Sequence, residues 1–157
     1  MEIPKRKQNR LSGYDYSQPG GYFITICTKG REELLGSVVG ADVLIGPQIK
    51  LSPIGQVVHD VLASMPNVTK FVVMPNHIHA IVRIEDGAMR TSPPTQGLSQ
   101  MVRYFKRNVT QRCGQAIWQR TFHDHIIRNE ADYLRIWQYI DTNPAEWRQD
   151  CYYTEKP

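Results

Sequence analysis

The chain has 157 residues, 41% hydrophobic and 22% charged, which predicts a single domain over 1–157 with a core of its own. No apolar run approaches bilayer-spanning length, and the charged opening Met1–Lys7 has no apolar stretch behind it, so a cytoplasmic protein with no membrane partner is expected. An excess of 19 Lys and Arg over 15 Asp and Glu leaves a net charge of +4, a lean towards polyanionic partners. Cys27, Cys113 and Cys151 are odd in number and far apart, which argues against a disulfide framework and against structural zinc.

Residues 1–20 read as a basic N-terminal arm. The run Tyr22-Phe23-Ile24-Thr25-Ile26-Cys27-Thr28 follows Pro19-Gly20-Gly21 and is rich in β-branched and aromatic types, so it predicts a first strand that Gly30 ends. Gly36 to Gln48 suits a short hairpin or extended loop. Ser52-Pro53 then opens a helix, serine at the cap and proline at the first helical position. Thr69 to Val73 and His77 to Ile84 are strands joined by the tight connection Met74-Pro75-Asn76.

Residues 85–97 hold Gly, Ser and two prolines without periodicity, the composition of a mobile loop. Leu98, Met101, Val102, Phe105 and Val109 form one stripe of a helix from Leu98 to Arg112, stopped by Gly114. Ile117-Trp118 and Phe122 to Ile127 predict a fourth strand. Asn129 caps a last helix with Glu130 and Asp132 in its first turn, and Pro144 marks its end. The order strand, helix, strand, strand, helix, strand with an appended helix is the α+β, ferredoxin-like split βαβ arrangement, an antiparallel sheet packed by helices.

Two features carry chemistry. In Val73-Met74-Pro75-Asn76-His77-Ile78-His79 the two histidines sit two residues apart on a strand, so both side chains share one face. They can present neutral ring nitrogens to a metal, or stand as two polar residues on an open sheet face. The second feature is basic residues among aromatics: Lys5, Arg6, Lys7 and Arg10 precede Tyr14, and Arg103, Lys106 and Arg107 flank Tyr104 and Phe105. That mixture suits phosphate neutralisation with base stacking, and equally a solvated helix face with a frayed tail. A second pair, His123 and His125, has no evident third ligand, which leaves DNA contact or surface exposure for His125. Trp118, Trp137 and Trp147 are expected to be core anchors.

Taken together, Tyr14-Asp15-Tyr16, Val73 to His79, Ile117-Trp118-Gln119-Arg120, Ile126-Ile127-Arg128-Asn129 and Tyr139-Ile140-Asp141-Thr142-Asn143-Pro144 resemble the single-tyrosine transposases of the His-hydrophobic-His superfamily. The likeness is greatest to the REP-associated tyrosine transposases related to the small transposases of insertion sequences. It runs through nearly the whole chain in the expected order.

The resemblance implies that His77 and His79 hold a divalent cation, Mg²⁺ or Mn²⁺, and that Tyr139 on the last helix is the nucleophile. Tyr139 and Asn143 are four residues apart and share a helix face, where the Asn143 amide oxygen can join the metal shell. Tyr104 and Tyr133 stand outside the family motif: Trp137 lies four residues after Tyr133, and the Asn108 after Tyr104 belongs to a segment that does not match it. The activity implied is metal-dependent cleavage and rejoining of single-stranded DNA through a 5′-phosphotyrosine, at hairpin-containing repeats. Lys5, Arg6, Lys7, Arg10, Tyr14, Arg103, Lys106, Arg107, Arg120, His125 and Arg128 are assigned to DNA contact. Other readings are a non-catalytic hairpin-binding protein on the same fold and a metal-dependent RNA-processing enzyme. Both monomer and homodimer stay open.

Overall fold

A computed structural model describes residues 20–39, 48–84, 97–145 and 147. The elements in chain order are β1 (Gly20–Cys27), β2 (Gly36–Val39), β3 (Gln48–Leu51), α1 (Pro53–Ser64), β4 (Val68–Met74), β5 (His77–Ile84), α2 (Leu98–Cys113), β6 (His123–Ile127) and α3 (Glu130–Thr142). The basic arm and Cys151 lie outside the described residues, as does the 85–97 loop apart from Gly97.

Four strands form one sheet in the order β4-β5-β1-β6, and every neighbouring pair is antiparallel. β1 and β4, joined by α1, are separated by β5; β5 and β6, joined by α2, are separated by β1. This interleaving is the split βαβ topology expected from the sequence. β2 and β3 form the separate hairpin foreseen between Gly36 and Gln48. The fourth strand is shorter than expected: Ile117 and Trp118 do not join β6, and Trp118 makes an isolated bridge to Thr28 instead. The Gln119 amide bonds to Cys27 O at 2.9 Å, so this segment extends the end of β1 before the chain turns into β6.

Capping chemistry sets the helix ends. Ser52 Oγ accepts the Gly55 amide at 3.0 Å and donates to Leu34 O at 2.6 Å, which starts α1 and ties it to the β2–β3 hairpin. Asn129 Oδ1 accepts the Asp132 amide at 2.8 Å at the start of α3. Gly114 closes α2 in the left-handed conformation at φ 74°, where a side chain would be strained.

The sheet buries both faces unequally. Tyr22, Ile24 and Ile26 of β1 with Ile78, Ala80, Val82 and Ile84 of β5 point to one side, where they meet Val58, Val61 and Leu62 of α1 and Met101, Val102, Phe105 and Val109 of α2. The alternate residues point the other way. There a smaller cluster of Ile81 with Ile136 and Ile140, flanked by Phe23, Val72, Ile127, Tyr133 and Trp137, seats α3 across β4 and β5. Lys70 on β4 reinforces that seat, its ammonium 2.6 Å from Asp141 and 4.0 Å from the Trp137 ring centroid. Among the described residues no helix is long and apolar enough to cross a membrane.

Candidate active site

The β4–β5 turn is only Pro75 and Asn76, so β5 opens on His77 with His79 two residues on, and both rings project to the α3 side of the sheet. Register places Cys27 of β1 opposite His77 and Thr25 opposite His79. Each histidine is essentially without solvent contact. Their Nε2 atoms face each other at 3.0 Å. The other ring nitrogens are anchored, His77 Nδ1 2.8 Å from Asn76 Oδ1 and His79 Nδ1 2.7 Å from Thr25 Oγ1.

Burial holds both rings neutral. Desolvation pushes His77 down to about 2, with the neighbouring His79 and Arg31 charges acting in the same direction. Desolvation alone takes His79 to about 3. A neutral imidazole is the form that donates a lone pair to a cation.

α3 delivers the helix residues. Tyr139 stands edge-on to the His79 ring at 5.3 Å between centroids and edge-on to Phe23 at 6.0 Å, while Phe23 stacks on His79 at 5.2 Å. Tyr139 is 37% exposed as a residue, so it lies at the surface end of the site rather than within the core. Asn143, one turn further on, is 2% exposed, and its Oδ1 is buried without a hydrogen-bond partner among the described residues. A buried, unsatisfied carbonyl costs stability unless something else satisfies it. Trp147 closes the far side, its ring 5.8 Å from that of His77.

These residues suit a divalent cation. The two Nε2 atoms lie 3.0 Å apart, close enough for one ion to draw on both nitrogens. The orphaned Asn143 oxygen is of the hard type that Mg²⁺ and Mn²⁺ accept. Among the described residues no group of three His, Cys, Asp or Glu side chains is poised to hold a metal.

The rival tyrosines sit elsewhere. Tyr104 packs on the main core, on the sheet face opposite the histidines, and the Tyr133 ring lies tilted against Trp137 at 5.8 Å between centroids near the start of α3. Trp118 and Trp147 are buried and Trp137 packs on the α3 cluster, in keeping with their expected anchoring roles. Cys27 and Cys113 are not in disulfides among the described residues.

The expected DNA contacts divide by place. Lys5, Arg6, Lys7, Arg10 and Tyr14 lie outside the described residues. Arg103 and Arg107 are exposed on α2, and Arg120, His125 and Arg128 are exposed around the edge strand β6. Lys106 is held within the fold, where its Nζ donates to Gln119 O at 2.8 Å and partial burial lowers its pKa. That bond brings one turn of α2 to the segment entering β6. His125 Nε2 lies 2.8 Å from Asp132 Oδ2, and Asp132 also pairs with Arg135. Thr25, Asn76, Phe23 and Trp147 join the site without having been assigned to it by sequence reasoning. Only Asn76 carries a local signal, its place in the histidine motif.

A split βαβ sheet with a paired-histidine strand beneath a tyrosine-bearing helix defines an α+β protein whose candidate site lies between that helix and the sheet. No protein-family model matches the chain. An uncharacterized protein of Haemophilus influenzae is 35% identical over 98% of the chain and 96% of its own length, so the two belong to one family. The REP-associated tyrosine transposase of Escherichia coli K12 is 34% identical over 50% of the chain, a match spanning 44% of that protein. A solved REP-associated tyrosine transposase, bound to a REP hairpin, superposes with a TM-score of 0.57 at 26% identity, covering 87% of this chain and 74% of that one. The chain is a relative of the REP-associated tyrosine transposases.

Proposed function

We propose that this protein is a metal-dependent transposase-type enzyme that cleaves and rejoins single-stranded DNA at hairpin-containing repeats through a 5′-phosphotyrosine. The observation that carries the reading is the contact of the Tyr139 ring on α3 with His79 of the buried, neutral His77–His79 pair, and the partnerless buried Asn143 Oδ1 one helical turn beyond Tyr139 supports it. Kinship with the REP-associated tyrosine transposases supports action on DNA, and the hairpin bound by the solved relative supports the substrate class.

On this reading His77, His79 and Asn143 hold Mg²⁺ or Mn²⁺. A cation bound there supplies Lewis acidity towards the scissile phosphate, offsetting charge that develops on the phosphoryl and leaving oxygens. The Tyr139 phenolic oxygen forms the new bond to phosphorus while the bond to the 3′ oxygen breaks, leaving a 5′-phosphotyrosine and a free 3′-OH. Because the phosphodiester is exchanged rather than hydrolysed, return attack by a 3′-OH rejoins a strand without ATP. Phe23, against both the Tyr139 and His79 rings, keeps the nucleophile beside the histidines. On this reading the exposed Arg120 and Arg128 beside β6, with Arg103 and Arg107 on α2, neutralise phosphates of a bound hairpin and His125 contacts it.

Incubation with end-labelled hairpin DNA carrying a single-stranded flank, with and without Mn²⁺, tests the proposal. A denaturation-resistant protein–DNA adduct that needs the cation is the expected product. Hairpin retention with neither cleavage nor adduct would favour a binding protein without catalysis.

A further inference from the structure

The two histidines differ in what fixes their outer ring nitrogens. Asn76 is fully buried, and its amide is oriented from the far side because Nδ2 donates to Arg31 O at 3.2 Å. Gly30 and Arg31 both adopt left-handed backbone, φ 62° and 54°, a conformation that an arginine rarely takes. With its NH₂ group committed to Arg31 O, Asn76 can present only its oxygen to His77 Nδ1. That oxygen accepts, so Nδ1 of His77 carries the hydrogen and Nε2 carries the lone pair.

His79 meets a partner of the opposite character. The Thr25 hydroxyl at 2.7 Å from Nδ1 rotates and can donate or accept. Two lone pairs cannot face each other across 3.0 Å, so in the absence of a cation His79 Nε2 must carry a hydrogen and donate it to His77 Nε2. Thr25 then donates to His79 Nδ1. When a cation takes both Nε2 lone pairs, the hydrogen of His79 sits on Nδ1 and Thr25 turns to accept it.

We propose that Asn76 and Thr25 are positioning residues for the cation site: Asn76 locks His77 as the Nδ1–H tautomer, while the reversible Thr25 hydroxyl lets His79 exchange tautomers as the cation enters. The inference rests on the metal reading of His77 and His79. It explains why an exchangeable hydroxyl and a rigid amide stand behind two otherwise similar ligands. Partners of this kind tune ligand orientation and basicity, and their loss typically costs about 10–100-fold in metal affinity.

The test uses the full chain labelled with ¹⁵N-histidine, observed by long-range ¹H–¹⁵N correlation after chelator treatment and again with saturating Mg²⁺, which is diamagnetic. Before Mg²⁺, His77 is expected as Nδ1–H and His79 as Nε2–H; with Mg²⁺ both are Nδ1–H. Thr25→Val keeps the side-chain shape but neither donates nor accepts, and should weaken Mn²⁺ binding in titration by about 10–100-fold, with Thr25→Ser restoring it. His77 appearing as Nε2–H in the chelated parent protein, or Thr25→Val binding Mn²⁺ like the parent, would overturn the inference. Failure of the parent protein to bind Mg²⁺ or Mn²⁺ at all would overturn the metal reading itself, whatever the tautomers.

Discussion

The ring of Tyr139 stands edge-on to that of His79 at 5.3 Å, where α3 crosses β5 beside the cluster of Ile81, Ile136 and Ile140. The contact is what makes a site of two separate motifs. The strand supplies neutral, buried nitrogen donors, and the helix supplies a partly exposed tyrosine and a buried amide oxygen.

Replacement of either histidine should remove cation-dependent chemistry. His77→Ala and His79→Ala are each expected to abolish Mn²⁺-dependent cleavage while hairpin binding, measured by gel shift in chelator, stays near that of the parent. Full cleavage by the parent in excess chelator would contradict this.

Asn143 separates stability from metal binding. Its unpaired buried oxygen should cost the cation-free protein about 1–3 kcal/mol, so Asn143→Leu, which removes it at similar volume, is expected to raise stability in chelator by about 1 kcal/mol. The same variant should bind Mn²⁺ more weakly than the parent. Urea denaturation and Mn²⁺ titration on one preparation check both. Lower stability with unchanged affinity would make the amide structural.

Acid should destabilise the fold through the histidines. Their folded pKa values, about 2 and about 3, lie below the ordinary value near 6.5, so between these limits the unfolded chain binds protons that the folded chain does not. The stability from neutral burial is therefore complete above pH 6.5 and is lost as pH falls towards the folded values, with a limiting slope of about 1.4 kcal/mol per pH unit for each histidine. Urea midpoints from pH 7.5 to 4.5 should show this slope, and a His77→Gln/His79→Gln variant should flatten it. Equal slopes would show that other groups control acid stability.

Charge on α2 should act on DNA through salt. Arg103→Gln and Arg107→Gln, both exposed, should each make the slope of log affinity against log salt shallower by about 0.7–0.9. Lys106→Met should mainly lower thermal stability, because it removes the bond to Gln119 O. Unchanged slopes in both arginine variants would take the α2 face out of the DNA interface.

The succession of elements along the chain, the caps at Ser52 and Asn129 and the pairing of His77 with His79 on one face are legible in the sequence because each follows from local chemistry: residue composition, capping oxygens and alternation. Grouping Tyr139 with Asn143 needs only helix periodicity. What stays hidden is what comes from pairing distant segments. Thr25 reaches His79 only because β1 lies beside β5, 54 residues away along the chain. Nothing about Arg31 in isolation signals that its carbonyl orients Asn76. The apolar neighbours of Trp118 suggest a place in the last strand, whereas the Thr28 bridge and the Gln119 bond to Cys27 divert it.

The nucleophile is the most direct point of test. The parent protein and Tyr139→Phe, matched for fold by circular dichroism and for hairpin binding by gel shift, are incubated with 5′- or 3′-labelled hairpin DNA and Mn²⁺, and any covalent adduct is digested and mapped by mass spectrometry. The account predicts an adduct on Tyr139 carrying the 5′ phosphate, a released 3′-OH fragment, and neither product from Tyr139→Phe, since only the phenolic oxygen is gone. An adduct mapped to another residue, or cleavage by Tyr139→Phe at the parent rate, would contradict it.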